Sequence, residues 1–185
     1  MNPVFLTHPN IPKPLHGMNP RTILGQDWWD IKRRAAYAKY NYHCWACGIL
    51  KHKAVFHQWL EGHESYDINY KTGEVKLKEI IALCHSCHNF IHSGRMNIML
   101  QKGEMDLNKV TLILVHGFSI LDQHKLDAFW GTVDFWNDLM KDNREAVYPD
   151  YYQQDAKWSD WHLILEGKKY YSKFKNIDEW REHYS

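Results

Sequence analysis

Cys44, Cys47, Cys84 and Cys87 form two Cys-x-x-Cys pairs that use up all four cysteines of the chain. Paired knuckles of this spacing are a standard way to hold one Zn2+ with four thiolates. A redox Cys-x-x-Cys would stand alone beside a βαβ pattern, which this sequence lacks. The second pair runs straight into histidines, Cys84-His-Ser-Cys87-His88-Asn-Phe-Ile-His92, and between the pairs lies Leu60-Glu-Gly-His-Glu64. Zinc closed by four thiolates can fold a chain, but it has no open position for chemistry. Hydrolysis asks for a second ion on imidazole or carboxylate ligands, and His63, His88 and His92 are the natural trio. His88 and His92 stand at i and i+4, so a helix running on from Cys87 sets them on one face. An ion held there would polarise a phosphate oxygen while a neighbouring base deprotonates water, with Glu64 nearest to hand. Glu61 is placed to orient a metal-binding imidazole from behind.

The elements that must position these groups are only partly legible. Five of the six prolines (Pro3, Pro9, Pro12, Pro14, Pro20) fall in the first twenty residues, which reads as an extended arm. That arm is either a strap across an aromatic core or, through Lys13 and Arg21, a contact to phosphates. Asp27 opens a helix with Trp28, Ile31, Ala35, Ala38 and Tyr42 on its apolar side and Lys32, Arg33, Arg34 and Lys39 opposite. Ala54-Val-Phe-His-Gln-Trp-Leu60 alternates and predicts a strand ending at Gly62. Asn69–Gly73 is a turn, and Val75-Lys-Leu77 a second short strand. Val110–Val115 is an apolar run that fits a strand or a buried helix. Asp122 is read as the cap of a helix to about Lys141, with Leu126, Phe129, Trp130, Val133, Trp136 and Met140 facing inward. Trp161–Tyr171 predicts a hairpin turning at Glu166-Gly167, and Asn176-Ile-Asp-Glu179 caps a final short helix.

Composition bounds the rest. A chain of 185 residues with 44% hydrophobic residues and nine tryptophans can bury one core with appendages. Its formal net charge of +1 gives no global field for nucleic acid, so any basic surface must be local. No apolar run reaches the length of a membrane span, and the N-terminus lacks the pattern of a signal peptide, which predicts a cytoplasmic protein without a membrane partner. Of the other histidines, His57 lies near the first strand and within reach of the site. His43, His52, His85, His116, His124, His162 and His183 are read as ordinary core or surface groups.

Cys44-x-x-Cys47-Gly48, Leu60-Glu-Gly-His-Glu64 and Leu83-Cys-x-x-Cys-His88-x-x-x-His92 together resemble the HNH endonuclease family, in its four-cysteine form found in bacteria and their phages. The resemblance covers about a quarter of the chain. It implies an α+β fold with a zinc-stabilised, treble-clef-like ββα-metal core at residues 42–95. An arm and basic helix (1–41) would precede that core, and an aromatic-rich accessory region (96–185) would follow. It further implies hydrolysis of DNA phosphodiester bonds, as a nick or a double-strand cut, with structural Zn2+ on the cysteines. The catalytic Mg2+ or other divalent ion would sit on His63, His88 and His92. No small-molecule cofactor is called for. Glu64 stands where the family usually has a histidine base, unless His63 itself is the base, and Glu79 stands near the place of its middle asparagine. Lys32, Arg33, Arg34 and Arg95 are the expected contacts to DNA. The alternative is a catalytically inactive zinc module that binds DNA or a protein partner, such as a phage protein acting on host machinery.

Overall fold

A computed structural model describes residues 1–7, 11–148 and 156–184; Pro9 of the proline-rich arm lies outside them. The fold is α+β, with a four-stranded sheet ordered β1-β2-β3-β4. The chain forms two compact units, neither of them a single continuous stretch. The first draws on residues 1–7, 35–63 and 81–148, the second on 11–34, 64–80 and 156–184.

Strands β1 (Glu61–Asn69) and β2 (Glu74–Leu83), whose residues 64–80 belong to the second unit, are joined by the predicted turn. Asn69 closes it by accepting from Lys71 N and Thr72 N with its side chain and from Gly73 N with its carbonyl. Gly73 has φ +73°, and a Cβ there would stand 2.8 Å from the carbonyl carbon of Asp160, so only glycine fits. Glu74–Lys76 pair in parallel with His162–Ile164 of β3 (His162–Leu165), which turns back antiparallel into β4 (Lys168–Tyr171). Glu166 and Gly167 turn that hairpin with φ +48° and +77°, the geometry a two-residue turn needs. Leu15, Tyr70, Val75, Trp161, Leu163 and Leu165 form its core. Helices α1 (Pro20–Leu24), the start of α2 (Gln26–Lys39) and α7 (Ile177–Tyr184) complete this unit. Asn176 starts α7 by accepting from Asp178 N and Glu179 N.

In the first unit, β2 ends at Leu83, Cys84 caps α3 (His85–Ile91), and α4 (Ser93–Gln101) follows. Helix α5 (Leu107–Gln123) starts on Asp106, whose carboxylate accepts from Lys109 N at 2.8 Å. It packs so tightly on α3 that a Cβ on Gly117 would fall 2.1 Å from the buried Phe90 ring. Helix α6 (Trp130–Met140) follows.

Several expectations change. The arm is not extended: it coils into short 3-10 turns at Pro3–Thr7 and Lys13–Leu15 and into α1, burying Leu6, Pro14, Leu15 and Pro20. Residues 54–60 are not a strand; Phe56 sits at φ +72°, which breaks any ladder, and β1 begins where that strand was expected to end. Asp122 caps nothing. It lies in the last turn of α5, pairs with Arg144, and the chain turns at Lys125 (φ +54°) before α6 starts at Trp130. The run 110–115 is helix. On α2 the buried residues are Trp29 and Ala36, with Tyr40 buried just past its end, while Ile31 is 67% exposed and Tyr42 is also exposed. Adjacent Trp28 and Trp29 make two apolar faces about 100° apart, and packing selected the second.

Candidate metal centre and its imidazole neighbour

Cys44 and Cys47 lie in a tight loop closed by Cys44 N→Ile49 O and Gly48 N→Cys44 O, both 2.8 Å, with His43 bridging to Leu50. Trp45 N bonds Ala82 O at 2.7 Å, which ties this loop to the end of β2 just before Cys84. Cys84 as the cap and Cys87 in the first turn of α3 bring the other pair to the same point. All four sulfurs lie within 4.8 Å of one another, and none is in a disulfide. The Cys47–Cys84 separation of 3.8 Å matches the edge, roughly 3.8 Å, of a tetrahedron with Zn–S bonds of about 2.3 Å. Hydrogen bonds from Cys44 and the other two pull the Cys47 thiol down, whereas hydrogen bonding to Cys44 and Cys47 pushes Cys84 and Cys87 up. Four thiols so close cannot all ionise without a cation among them, and the donor set fits a metal such as zinc.

A second group stands beside the thiols. His63 on β1 is 4% exposed; His88 on α3 and His92 at its C-terminal end are half-buried. Their ligand nitrogens lie within 4.8 Å of one another, and the three rings meet edge to face at centroid distances of 4.8–5.3 Å. His92 Nε2 and His63 Nδ1 are 3.2 Å apart. Two nitrogens sharing an ion at about 2.1 Å stand roughly 3.0–3.4 Å apart, from octahedral to tetrahedral, so the trio fits a divalent cation.

Glu61 lies two residues before His63 on the same face of β1. Its carboxylate accepts from His85 Nδ1 at 2.7 Å and, through the other oxygen, from His88 Nδ1. Burial alone would raise its pKa, but the two imidazole donors outweigh it and hold the carboxyl well below the ordinary carboxylate range. The bond fixes the His88 ring and leaves its Nε2 as the nitrogen for a ligand. His57, Glu61 and His85 also bring ligand atoms within 4.8 Å. Both Glu61 oxygens are already taken by imidazoles, and 2.7 Å is shorter than the roughly 3.0 Å edge of a coordination sphere. This third group is therefore a hydrogen-bonded extension of the second.

Sequence reasoning read His85 and His116 as ordinary groups and passed over Asn89, whereas His57 lies within reach of the site as expected. His85 faces Glu61, and Asn89 donates to the His85 carbonyl at 2.9 Å. The spacing His85, His88, Asn89, His92 (i, i+3, i+4, i+7) is one helical face, and that signal was readable. His57 packs edge-on against His85 at 4.2 Å. His116 on α5 brings Nε2 to 3.5 Å from Cys87 Sγ, where an N–H would steady a thiolate; nothing in the sequence marks it. Glu64 follows His63, and strand alternation sets the two side chains on opposite faces of β1. Glu64 thus shares a face with Tyr66, whose hydroxyl is pushed up by burial and then by the Glu64 charge. Glu79 lies on β2 in the second unit. Lys32, Arg33 and Arg34 also belong to that unit; Arg33 pairs with Asp30 at 2.7 Å, and Lys32 lies over the Trp28 ring. Arg95 is exposed on α4 of the first unit. No helix among the described residues is long and apolar enough to cross a membrane.

The chain matches no family model, no curated protein and no solved structure.

Proposed function

We propose that this protein is a metal-dependent endonuclease of the HNH kind, hydrolysing DNA phosphodiester bonds on a ββα-metal core scaffolded by Zn2+ at the four cysteines. The observation that carries the reading is the convergence of His63, His88 and His92, from a strand and the helix that follows its hairpin, beside a separate four-thiol cluster. His63, His88 and His92 would hold Mg2+ or a similar divalent ion, which supplies charge stabilisation at the phosphate and the departing oxygen. Glu61 holds the His88 ring in one orientation and tautomer, so Nε2 points away from the carboxylate. The base that takes the proton from water would be Glu64 or His63, and the position of Glu64 on the opposite face of β1 from the trio favours His63. A carboxylate base gives an acid limb in the pH–rate profile near pH 4–5, an imidazole base one near 6–7. Within the first unit, exposed Arg95 would offer a phosphate contact.

The decisive experiment is nicking of supercoiled plasmid by the purified protein with Mg2+, Mn2+, Ni2+ or EDTA, with His88→Ala alongside. Cleavage that needs the ion and disappears in His88→Ala, while the variant keeps its fold and its zinc, is the expected result. Absence of cleavage with every metal refutes the nuclease reading. It would favour a non-catalytic zinc module with a DNA or protein partner, a reading that the placement of Glu64 on the face away from His63 supports.

A further inference from the structure

Residues 51–60, which lead into β1, hold an aromatic cluster that the metal groups do not use. Trp59 is 56% exposed, and its indole stacks flat on His57, at 4.1 Å between centroids and 10° between planes. His57 stands edge-on to His85 at 4.2 Å, and His85 is hydrogen-bonded to Glu61, which also holds His88. Phe56, also exposed, meets His85 from another side at 5.8 Å, under the Lys109 ammonium at 5.1 Å. Trp59 is thus connected to the imidazole trio by an unbroken series of ring and hydrogen-bond contacts, and its outer face is open to solvent.

The segment itself carries only basic charge. Residues 51–60 carry Lys51 and Lys53, both exposed, and no acidic residue; Lys109 adds a third cation. Glu61, which follows the segment, turns inward to two imidazoles, and Asp106 at the start of α5 accepts from Lys109 N. A flat aromatic face amid cations, with an anion-handling site next to it, has the chemistry that binds a nucleobase on a phosphate backbone. A paired base inside a duplex hides its face from such a platform, so the occupant is an unpaired one.

We propose that Trp59, seated on His57 and flanked by Phe56 and Lys109, is a stacking platform for an unpaired nucleobase close to the phosphate held at the imidazole trio. This rests on the nuclease reading and narrows its substrate to single-stranded, flapped or distorted DNA.

The test measures binding of fluorescently labelled oligonucleotides to the full chain without added divalent ion. Single-stranded and fully paired forms are compared for wild type, Trp59→Ala and Trp59→Phe. Because Trp59 is largely exposed, its removal should leave the fold and zinc content intact, which metal analysis checks. Trp59→Ala should weaken single-strand binding by roughly 5- to 150-fold, the usual effect of losing one stacked base. Trp59→Phe should recover part of it, and duplex binding should change little. An oligonucleotide carrying 2-aminopurine should lose fluorescence on binding wild type and not on binding Trp59→Ala. Equal single-strand affinity in wild type and Trp59→Ala overturns the platform, and so does an equal loss on duplex. Metal-dependent plasmid cleavage reports separately on the nuclease reading. Trp59-dependent binding without cleavage would keep the platform as part of a non-catalytic binder, and cleavage without Trp59-dependent binding would keep only the nuclease.

Discussion

Replacing Gly117 by alanine tests how closely α5 holds α3. The added Cβ would lie 2.1, 2.3 and 2.4 Å from three atoms of the Phe90 ring. Ordinary carbon–carbon contact is about 3.5–4.0 Å, so something must yield by well over 1 Å. The ring has no room to retreat, since Phe90 is fully buried. Neither has α3, since Cys87 and His88 near its middle are held by the His116 imidazole and the Glu61 carboxylate. Overpacking a core costs about 1–3 kcal/mol and at times more, and this clash belongs at the upper end. Alanine returns about 1 kcal/mol through its helix propensity. The net expectation is a loss of about 2 kcal/mol, or roughly 4–8 °C in melting temperature for a chain of this size. Chemical denaturation of the zinc-loaded protein reads it out, with Phe90→Leu and the double variant completing a cycle. Removing ring atoms at the clash should make the double variant more stable than the two single losses predict by addition. If Gly117→Ala is as stable as wild type, or the two losses simply add, the close approach of the helices is refuted.

Two further predictions concern charge. Glu61→Gln removes the carboxylate that both His85 and His88 address, and it should weaken divalent-ion binding at the trio by about 10- to 100-fold while leaving the four-thiol site untouched. Co2+ titration, in which thiolate and imidazole sites have distinct spectra, would show this; equal loss at both sites would show a folding defect instead. In the second unit, burial, followed by the smaller effect of nearby Lys13, lowers the His16 pKa, against the opposing bond to the Ile11 carbonyl. Nε2–H donates to that carbonyl and Nδ1 accepts from Trp180 Nε1, so a second proton would break the Trp180 bond. Because the folded value lies below the unfolded one of about 6.5, His16 contributes stability that is full above that pH and is lost as pH falls through the folded value. Urea midpoints from pH 7.5 to 5 should fall less steeply in His16→Gln, and parallel curves would contradict the assignment.

What the sequence disclosed follows the chemistry of each group. Thiolate ligands occur in few patterns, so the four-cysteine cluster could be read from spacing. His88 and His92 could be read from helical periodicity, and His63 from the ligand run between the pairs. Turns at Asn69–Gly73 and Glu166-Gly167 were legible because Gly73 and Gly167 take φ > 0 freely and the Asn69 side chain bonds the backbone ahead of it. The strand expected at 54–60 failed because alternation says nothing of Phe56 adopting left-handed backbone. The helix face of α2 was misread because a Trp-Trp pair leaves two choices that only tertiary packing decides. His116 reaches Cys87 across the fold, and no local pattern carries such a contact.

Helix α3 has a consequence for how the protein matures. Its seven residues supply a thiolate to one cluster and an imidazole to the other, with His92 closing its C-terminal end. A helix this short does not persist alone in water, where about 12–15 residues are needed. Ion capture by the thiols contributes its binding energy directly to folding, and it would draw Cys84 and Cys87 into the first turn. The same turn would set His88 and His92 on one face toward His63. On the proposed reading the thiol cluster would fill before the imidazole trio, so zinc-poor conditions would leave newly made copies without the scaffold that the second ion needs.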